Sequence, residues 1–321
     1  KLRLRQAQGL EVRHGGAEAN VAVSLAEFGL KSRFVTALPS GELGTQALQF
    51  LRAHNVETDR ILRRPGRLGL YFMEDGADYR SGCVIYDRSG SVFTTMTPED
   101  VEWDDVFQGA DWFHISGITP ALCTSTKVLA EVAIGEARRR GVRISIDLNY
   151  RESLWAYGVS ASSVLPAMVA KADTLIAGRG DCFVCLGLEG DGENGSDEWA
   201  ISLSEKVLTG YPNLERFSLT IRASASAEEH GWRAFLSTRS ARVFSRFYRM
   251  KHVVDRVGTG DAFCAGLIYA VLKKKAPQEA INFGAAANCL KHTIPGDVNE
   301  VTLEEVLSLA DANTFGRLRR N

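Results

Sequence analysis

Between Gly16 and Gly29, apolar residues recur at 19, 22, 23 and 26 and at 21, 25 and 28, the spacing of one helix that a glycine closes. Ser32 to Leu38 reads as a strand and Leu43 to His54 as a second helix. The pattern then changes. Leu68–Met73, Cys83–Tyr86 and Ser91–Thr94 are short strand-like runs parted by the turns Glu74-Asp75-Gly76 and Asp87-Arg88-Ser89-Gly90. They predict a small antiparallel sheet inserted between about residues 67 and 95, with residues near 3 to 14 as a further strand. Alternation resumes with strands at 112–116, 142–147, 174–177 and 216–221 and helices at 125–140, 162–171 and 199–208. A hairpin at 231–236 and 241–247 follows, then helices at 262–272, 278–292 and 303–312. Apolar strands spaced by helices of that length imply an α/β fold, a mostly parallel central sheet buried on both faces. A single domain over residues 1–321 is expected, without internal repeats or low-complexity tracts.

Composition narrows the classes. The 321 residues, 45% hydrophobic and 24% charged, suffice for a full core. Lys+Arg 38 against Asp+Glu 39 leaves a net charge of -1, which offers no bulk attraction for nucleic acid or an anionic membrane, so neither is an expected partner. An anionic ligand must be held by local groups. Six scattered cysteines, Cys83, Cys123, Cys182, Cys185, Cys264 and Cys289, sit mostly among apolar neighbours, as free thiols in a reducing compartment do. The lone Cys182-x-x-Cys185 has no second pair to complete a zinc site. No apolar run nears the roughly 20 residues of a membrane span, and no signal segment is visible, so a cytoplasmic location is expected. The chain opens in mid-pattern at Lys1-Leu2-Arg3-Leu4-Arg5 without an initiator methionine, from which a missing N-terminal segment is expected.

The chemistry concentrates at Val254-Asp255-Arg256-Val257-Gly258-Thr259-Gly260-Asp261-Ala262-Phe263, a glycine-rich turn opening onto an apolar helix. Gly258 and Gly260 permit backbone turns that let amides converge on one anion, and a helix start adds about half a positive charge. Phosphate is the expected guest. A carboxylate there is repelled by phosphate unless it has a task, and the task available is to take a proton from an attacking hydroxyl. Asp261 is therefore the candidate general base of a phosphoryl transfer, with Gly258, Thr259 and Gly260 as its phosphate cradle.

Two further motifs, Gly15-Gly16-Ala17-Glu18-Ala19-Asn20 and Asp147-Leu148-Asn149-Tyr150-Arg151 with Leu154-Trp155, join Asp255 to Asp261 in a pattern that resembles the ribokinase-like PfkB carbohydrate kinases. Weaker matching strings at 84–91, 113–120 and 294–297 extend it from about residue 13 to about residue 300. The resemblance implies a ribokinase-like fold with a β-sheet lid, and ATP-dependent phosphorylation of 2-keto-3-deoxygluconate bound between lid and core. It also implies Mg2+, room for a monovalent cation, and a homo-oligomer formed through the lid. By that similarity Gly15 and Gly16 admit the substrate, Asn20 bonds a hydroxyl, and Tyr71, Tyr86, Arg88 and Arg151 face the sugar acid. Arg222, Ser224 and Asn288 lie on the nucleotide side. A keto acid presents a carboxylate, which guanidinium binds through two parallel hydrogen bonds that lysine does not reproduce. Arg151 follows a strand ending at Asp147, at the carboxyl edge where open α/β sheets bind ligands.

The sequence departs from the resembled pattern in three places. Gly178-Arg179-Gly180-Asp181 stands where an acidic run tied to the metal and phosphates is usual, so the metal ligands stay open. Arg256 replaces a commoner threonine, and the first core strand is absent. A kinase for another sugar such as fructose or ribose, or a non-catalytic sugar-acid-binding relative, are the alternatives. A nicotinamide dehydrogenase is disfavoured because no early strand leads into Gly-x-Gly-x-x-Gly.

Overall fold

In the computed structural model, which describes residues 2–224 and 229–311, α1 (Ala17–Glu27) leads into β1 (Ser32–Arg33), β2 (Ala37–Pro39), α2 (Glu42–Ala53), β3 (Val56–Glu57) and β4 (Leu62–Arg64). A hairpin of β5 (Leu70–Glu74) and β6 (Cys83–Asp87) comes next, then α3 (Trp103–Val106) and β7 (Trp112–Ser116). The alternating half continues with α4 (Ile118–Ala121), α5 (Thr124–Arg139), β8 (Arg143–Asp147), α6 (Ala161–Val169), β9 (Thr174–Gly178), α7 (Asp181–Leu186), α8 (Asp197–Gly210) and β10 (Arg216–Ser224). β11 (His230–Thr238), β12 (Arg242–Phe244) and β13 (Tyr248–Met250) precede α9 (Thr259–Leu272), α10 (Pro277–Lys291) and α11 (Leu303–Ala310).

The main sheet has the order β12-β11-β10-β9-β8-β7, with β13 also on β11. β7 to β10 are parallel, and the hairpin strands return antiparallel. Because β9 is apolar on both faces and Ser145 of β8 is buried as fully as Ile144 and Ile146, helices must cover both. On one side α5, α6 and α8 pack Ile134, Leu165 and Leu203 onto Ile144, Ile146 and Phe217. On the other, α9 and α10 set Phe263, Leu267 and Phe283 against Ile176, Trp232 and Leu236. These layers match the expected α/β architecture.

Three details differ from the sequence reading. The stretch from 3 to 14 is not a strand: it holds a 3-10 turn at Leu4–Gln6 and otherwise irregular chain, with the Leu4 amide donating to the Glu74 carboxylate at 3.0 Å in place of a ladder. Ser91–Thr94 is not a lid strand either. Val92–Thr95 winds into a 3-10 turn, where the Thr94 and Thr95 hydroxyls donate to the carbonyls of Ser91 and Val92. Ser32–Leu38, expected as one strand, is split into β1 and β2, which pair with β3 and β4 rather than with the main sheet. Among the described residues no hydrogen bond joins this run to β7. The outer edge of β7 and the Ser32–Leu38 run instead both line one cavity of about 1840 Å3 that also includes the cleft at the strand ends.

Candidate active site

The cleft lies at the carboxyl ends of β8, β9 and β10, where α9 begins. Gly258 caps α9 with φ of 71°, and a Cβ there would stand 1.7 Å from the Asp297 carbonyl oxygen, so the loop after α10 seats this turn only if the residue is glycine. The first intrahelical bond runs from the Ala262 amide to the Gly258 carbonyl, which leaves the amides of Thr259, Gly260 and Asp261 without acceptors inside the helix. Gly258, Thr259, Gly260 and Asp261 all line the cavity.

Asp261 is 9% exposed, and one of its carboxylate oxygens accepts from the Asn20 amide at 2.7 Å. Burial pushes its pKa up to about 7; Asp297 and Glu18 add to the rise, while the Asn20 bond and Arg151 oppose it. Asp147, at the end of β8, also rises to about 7, through burial first and then the charges of Asp181 and Asp261. The buried Cys264 thiol donates to Asp147 at 3.5 Å. Asp181 is raised by burial and held back by the Gly178 amide, which donates to it at 2.7 Å, and by Arg151.

Asn20 is 2% exposed and turns its amide to Asp261 and Asp297, with its carbonyl accepting from the Gly16 amide at 3.2 Å. The fold uses it to hold the base, and it also lines the cavity in which the sequence reading places a substrate hydroxyl. Gly16 has φ of 147°, and a Cβ on Gly15 would meet the Asp297 side chain at 2.2 Å, so this turn closes directly on the carboxylate. Asn288 is fully buried beneath the phosphate turn, donating to the Thr259 carbonyl at 2.8 Å, and is not on the cavity wall. Its amide is tied down by the loop it supports, so in this structure it stands behind the wall of the cleft and not on it.

The lid hairpin brings Tyr71, Tyr86 and Arg88 to the same cavity. The Tyr71 hydroxyl donates to Asp297, and burial pushes its pKa up. The Arg88 guanidinium stacks over the Tyr86 ring at 4.2 Å. Desolvation lowers the Arg88 pKa, against the charges of Tyr86, Tyr71, Glu18 and Asp297. Arg151 is exposed to the cleft, bonded through one guanidinium nitrogen to the Tyr150 carbonyl at 2.8 Å. Arg222, on β10, faces the cavity as well; partial desolvation and the charges of Arg256 and Arg151 lower its pKa. Ser224 ends the same strand, and its side chain lies outside the described residues.

Sequence reasoning passes over Glu18, Asp147 and Asp297 as site residues, although all three stand inside the family-like motifs. Glu18 ties α1 to the opposite wall, one oxygen accepting from the Ser116 amide and hydroxyl at 2.9 Å each and from the Thr119 hydroxyl at 2.8 Å. Among the described residues no cluster of three or more His, Cys, Asp or Glu stands ready for a metal, and no helix is long and apolar enough to cross a membrane.

A base buried at the first turn of a helix, with unpaired amides opening on the carboxyl edge of a doubly covered sheet, is the layout of a phosphoryl-transfer enzyme. The chain belongs to the pfkB family of carbohydrate kinases, which matches residues 2–208 and 234–302. It is similar to the 2-dehydro-3-deoxygalactonokinase of Haloferax volcanii, 31% identical over 95% of this chain and 89% of that one. A solved 2-dehydro-3-deoxygluconokinase from Thermotoga maritima superposes with a TM-score of 0.92 at 40% identity, over 97% of this chain and 94% of that one. A fructokinase from Xylella fastidiosa with bound ATP, 24% identical over 93% and 90% of the two chains, shares the fold at a TM-score of 0.75.

Proposed function

We propose that this carbohydrate kinase transfers the terminal phosphoryl group of ATP to the primary hydroxyl of 2-keto-3-deoxygluconate, giving 2-keto-3-deoxy-6-phosphogluconate in sugar-acid catabolism. The observation that carries the reading is the convergence of Asp261, Arg88 and Arg151 on one cavity: a base at the phosphate turn and two cations for a substrate carboxylate. Asp261 takes the proton of the attacking hydroxyl, and the amides of Thr259 and Gly260 meet the charge that develops on the transferred group. Tyr71 and Tyr86 close the polar face of the sugar, with Gly15 and Gly16 as the floor. Arg222 and the Ser224 region serve the nucleotide phosphates.

Mg2+ travels with the nucleotide. Asp147 and Asp181, on the wall of the cleft, are the carboxylates that would face it, and it would neutralise charge on the phosphates. A monovalent cation, a cytoplasmic location and a homo-oligomer built through the lid complete the reading. The lid hairpin has exposed Val84 and Ile85 to offer a second copy. A second substrate, the 2-keto-3-deoxygalactonate epimer, is favoured by the Haloferax volcanii relative.

The test is ADP release across a panel of both keto acids, fructose and ribose, in the wild type and in Arg151→Lys. Lysine keeps the charge and loses the planar fork, so the kcat/KM preference for acid over neutral ketose is expected to fall by at least about tenfold, roughly 1.4 kcal/mol. A wild-type enzyme that prefers fructose or ribose would overturn the assignment. An unchanged ratio in the variant would remove the carboxylate clamp at Arg151.

A further inference from the structure

Lys291 is the last residue of α10 and is 0% exposed, a position where an ammonium is costly unless its charge is answered. A methionine would fill the same space without that cost. The ammonium donates at 2.9 Å to the Ile294 carbonyl, the first residue of the loop that ends at Asp297. From there the loop locks onto the phosphate turn. The Gly296 amide donates to one Asp255 oxygen at 2.8 Å and the Val257 amide to the other at 3.0 Å. The Asp297 backbone seats Gly258, and the Asp297 side chain shares the Asn20 amide with Asp261.

We propose that Lys291 is a positioning residue for phosphoryl transfer: its buried ammonium clamps the Ile294–Asp297 loop against the Asp255–Asp261 turn and supplies the interior positive charge that this acidic cluster requires. Burial lowers the pKa of this ammonium, and the carboxylates of Asp255, Asp297, Asp261 and Glu300 act against that lowering. The attraction is mutual, so the ammonium favours the ionised form of Asp261, whose other charged neighbours are Glu18, Asp297, Asp147 and Arg151. The charge thereby acts on the base without touching substrate.

The inference rests on the reading of Asp261 as the base, and the experiment separates the two. Lys291→Met, Lys291→Ala and Asp261→Asn are compared with wild type using 2-keto-3-deoxygluconate, ATP and Mg2+ over a pH series, with and without added ethylammonium. In Lys291→Met, kcat is expected to fall at least about tenfold while the sugar-acid KM stays within about threefold. The acid limb of kcat/KM is expected to move to higher pH. Lys291→Ala, whose truncated stem leaves room for a small amine, is expected to regain at least about a third of the lost activity with ethylammonium and none with an equal concentration of ethanol. A Lys291→Met enzyme with kcat within about twofold and an unmoved acid limb would overturn the proposal. So would a loss of activity in both Lys291 variants with an unmoved limb and no amine rescue, which is what a purely packing role gives. If Asp261→Asn retains near wild-type turnover, it is the assignment of the base that fails. If Lys291→Met does not fold, the amine response of Lys291→Ala decides alone.

Discussion

Asp261 is adjacent in sequence to the glycines that define its setting, which is why the base and its phosphate cradle are legible in the amino-acid sequence itself. The groups that make it work are not. Asn20 lies 241 positions away, and Asp297 and Lys291 reach the base only through loops that the fold interlocks. No local spacing announces a hydrogen bond of that span, so an asparagine behind a glycine pair reads equally well as a substrate contact. Asp261→Asn keeps a hydrogen-bonding side chain and removes the base. Turnover is expected to fall by about a hundredfold to ten-thousandfold, with sugar-acid affinity within severalfold. Nearly full turnover at saturating substrates would reduce Asp261 to a helix cap. In the wild type the carboxylate must be ionised to accept a proton, and burial places its pKa at about 7. A pH series of kcat/KM should accordingly decline below about pH 7.

At the scale of elements, the α/β alternation is readable because buried parallel strands and amphipathic helices have distinct periods, while the lid region is readable only in part. β5 and β6 follow strand periodicity, but Ser91–Thr94 carries hydroxyls that bond back to their own backbone and wind the chain into a turn. The 3 to 14 stretch alternates like a strand yet forms no ladder, its Leu4 amide donating to the Glu74 carboxylate instead of to a strand carbonyl. The β5–β6 hairpin exposes the apolar residues Leu70, Val84 and Ile85 and has its polar anchors, Tyr71 to Asp297 and Arg88 over Tyr86, toward the cleft. A flap attached this way should settle when a carboxylate arrives between Arg88 and Arg151. Amide exchange across Leu70–Asp87 is expected to slow when the keto acid is added. Unchanged exchange with binding demonstrated by calorimetry would count against closure.

For the molecule as a whole, the site is a liability that pH reveals. Asp147 and Asp261 have folded pKa values of about 7, raised from an ordinary 3.8. Their contribution to stability is fully present below the unfolded value and is lost as pH rises through about 7. His114, buried and lowered to about 4 from 6.5, acts in the opposite sense, favouring the fold above 6.5 and failing it as pH drops through 4. Two carboxylates outweigh one imidazole between these limits. Asp147→Asn should therefore raise the Tm of the ligand-free protein at pH 8, by about 2 °C or more, and by clearly less at pH 5, where only part of the window between 3.8 and about 7 has been crossed. An equal shift at both pH values would show that Asp147 does not titrate in the fold. The interrupted sheet has a consequence of another kind. The rim of β7 carries a ladder of amides and carbonyls with no neighbouring strand among the described residues, walled by apolar side chains. Such a rim is a template onto which an extended segment of another molecule can add. Self-association through this rim is expected to rise with protein concentration, which light scattering over a dilution series would show.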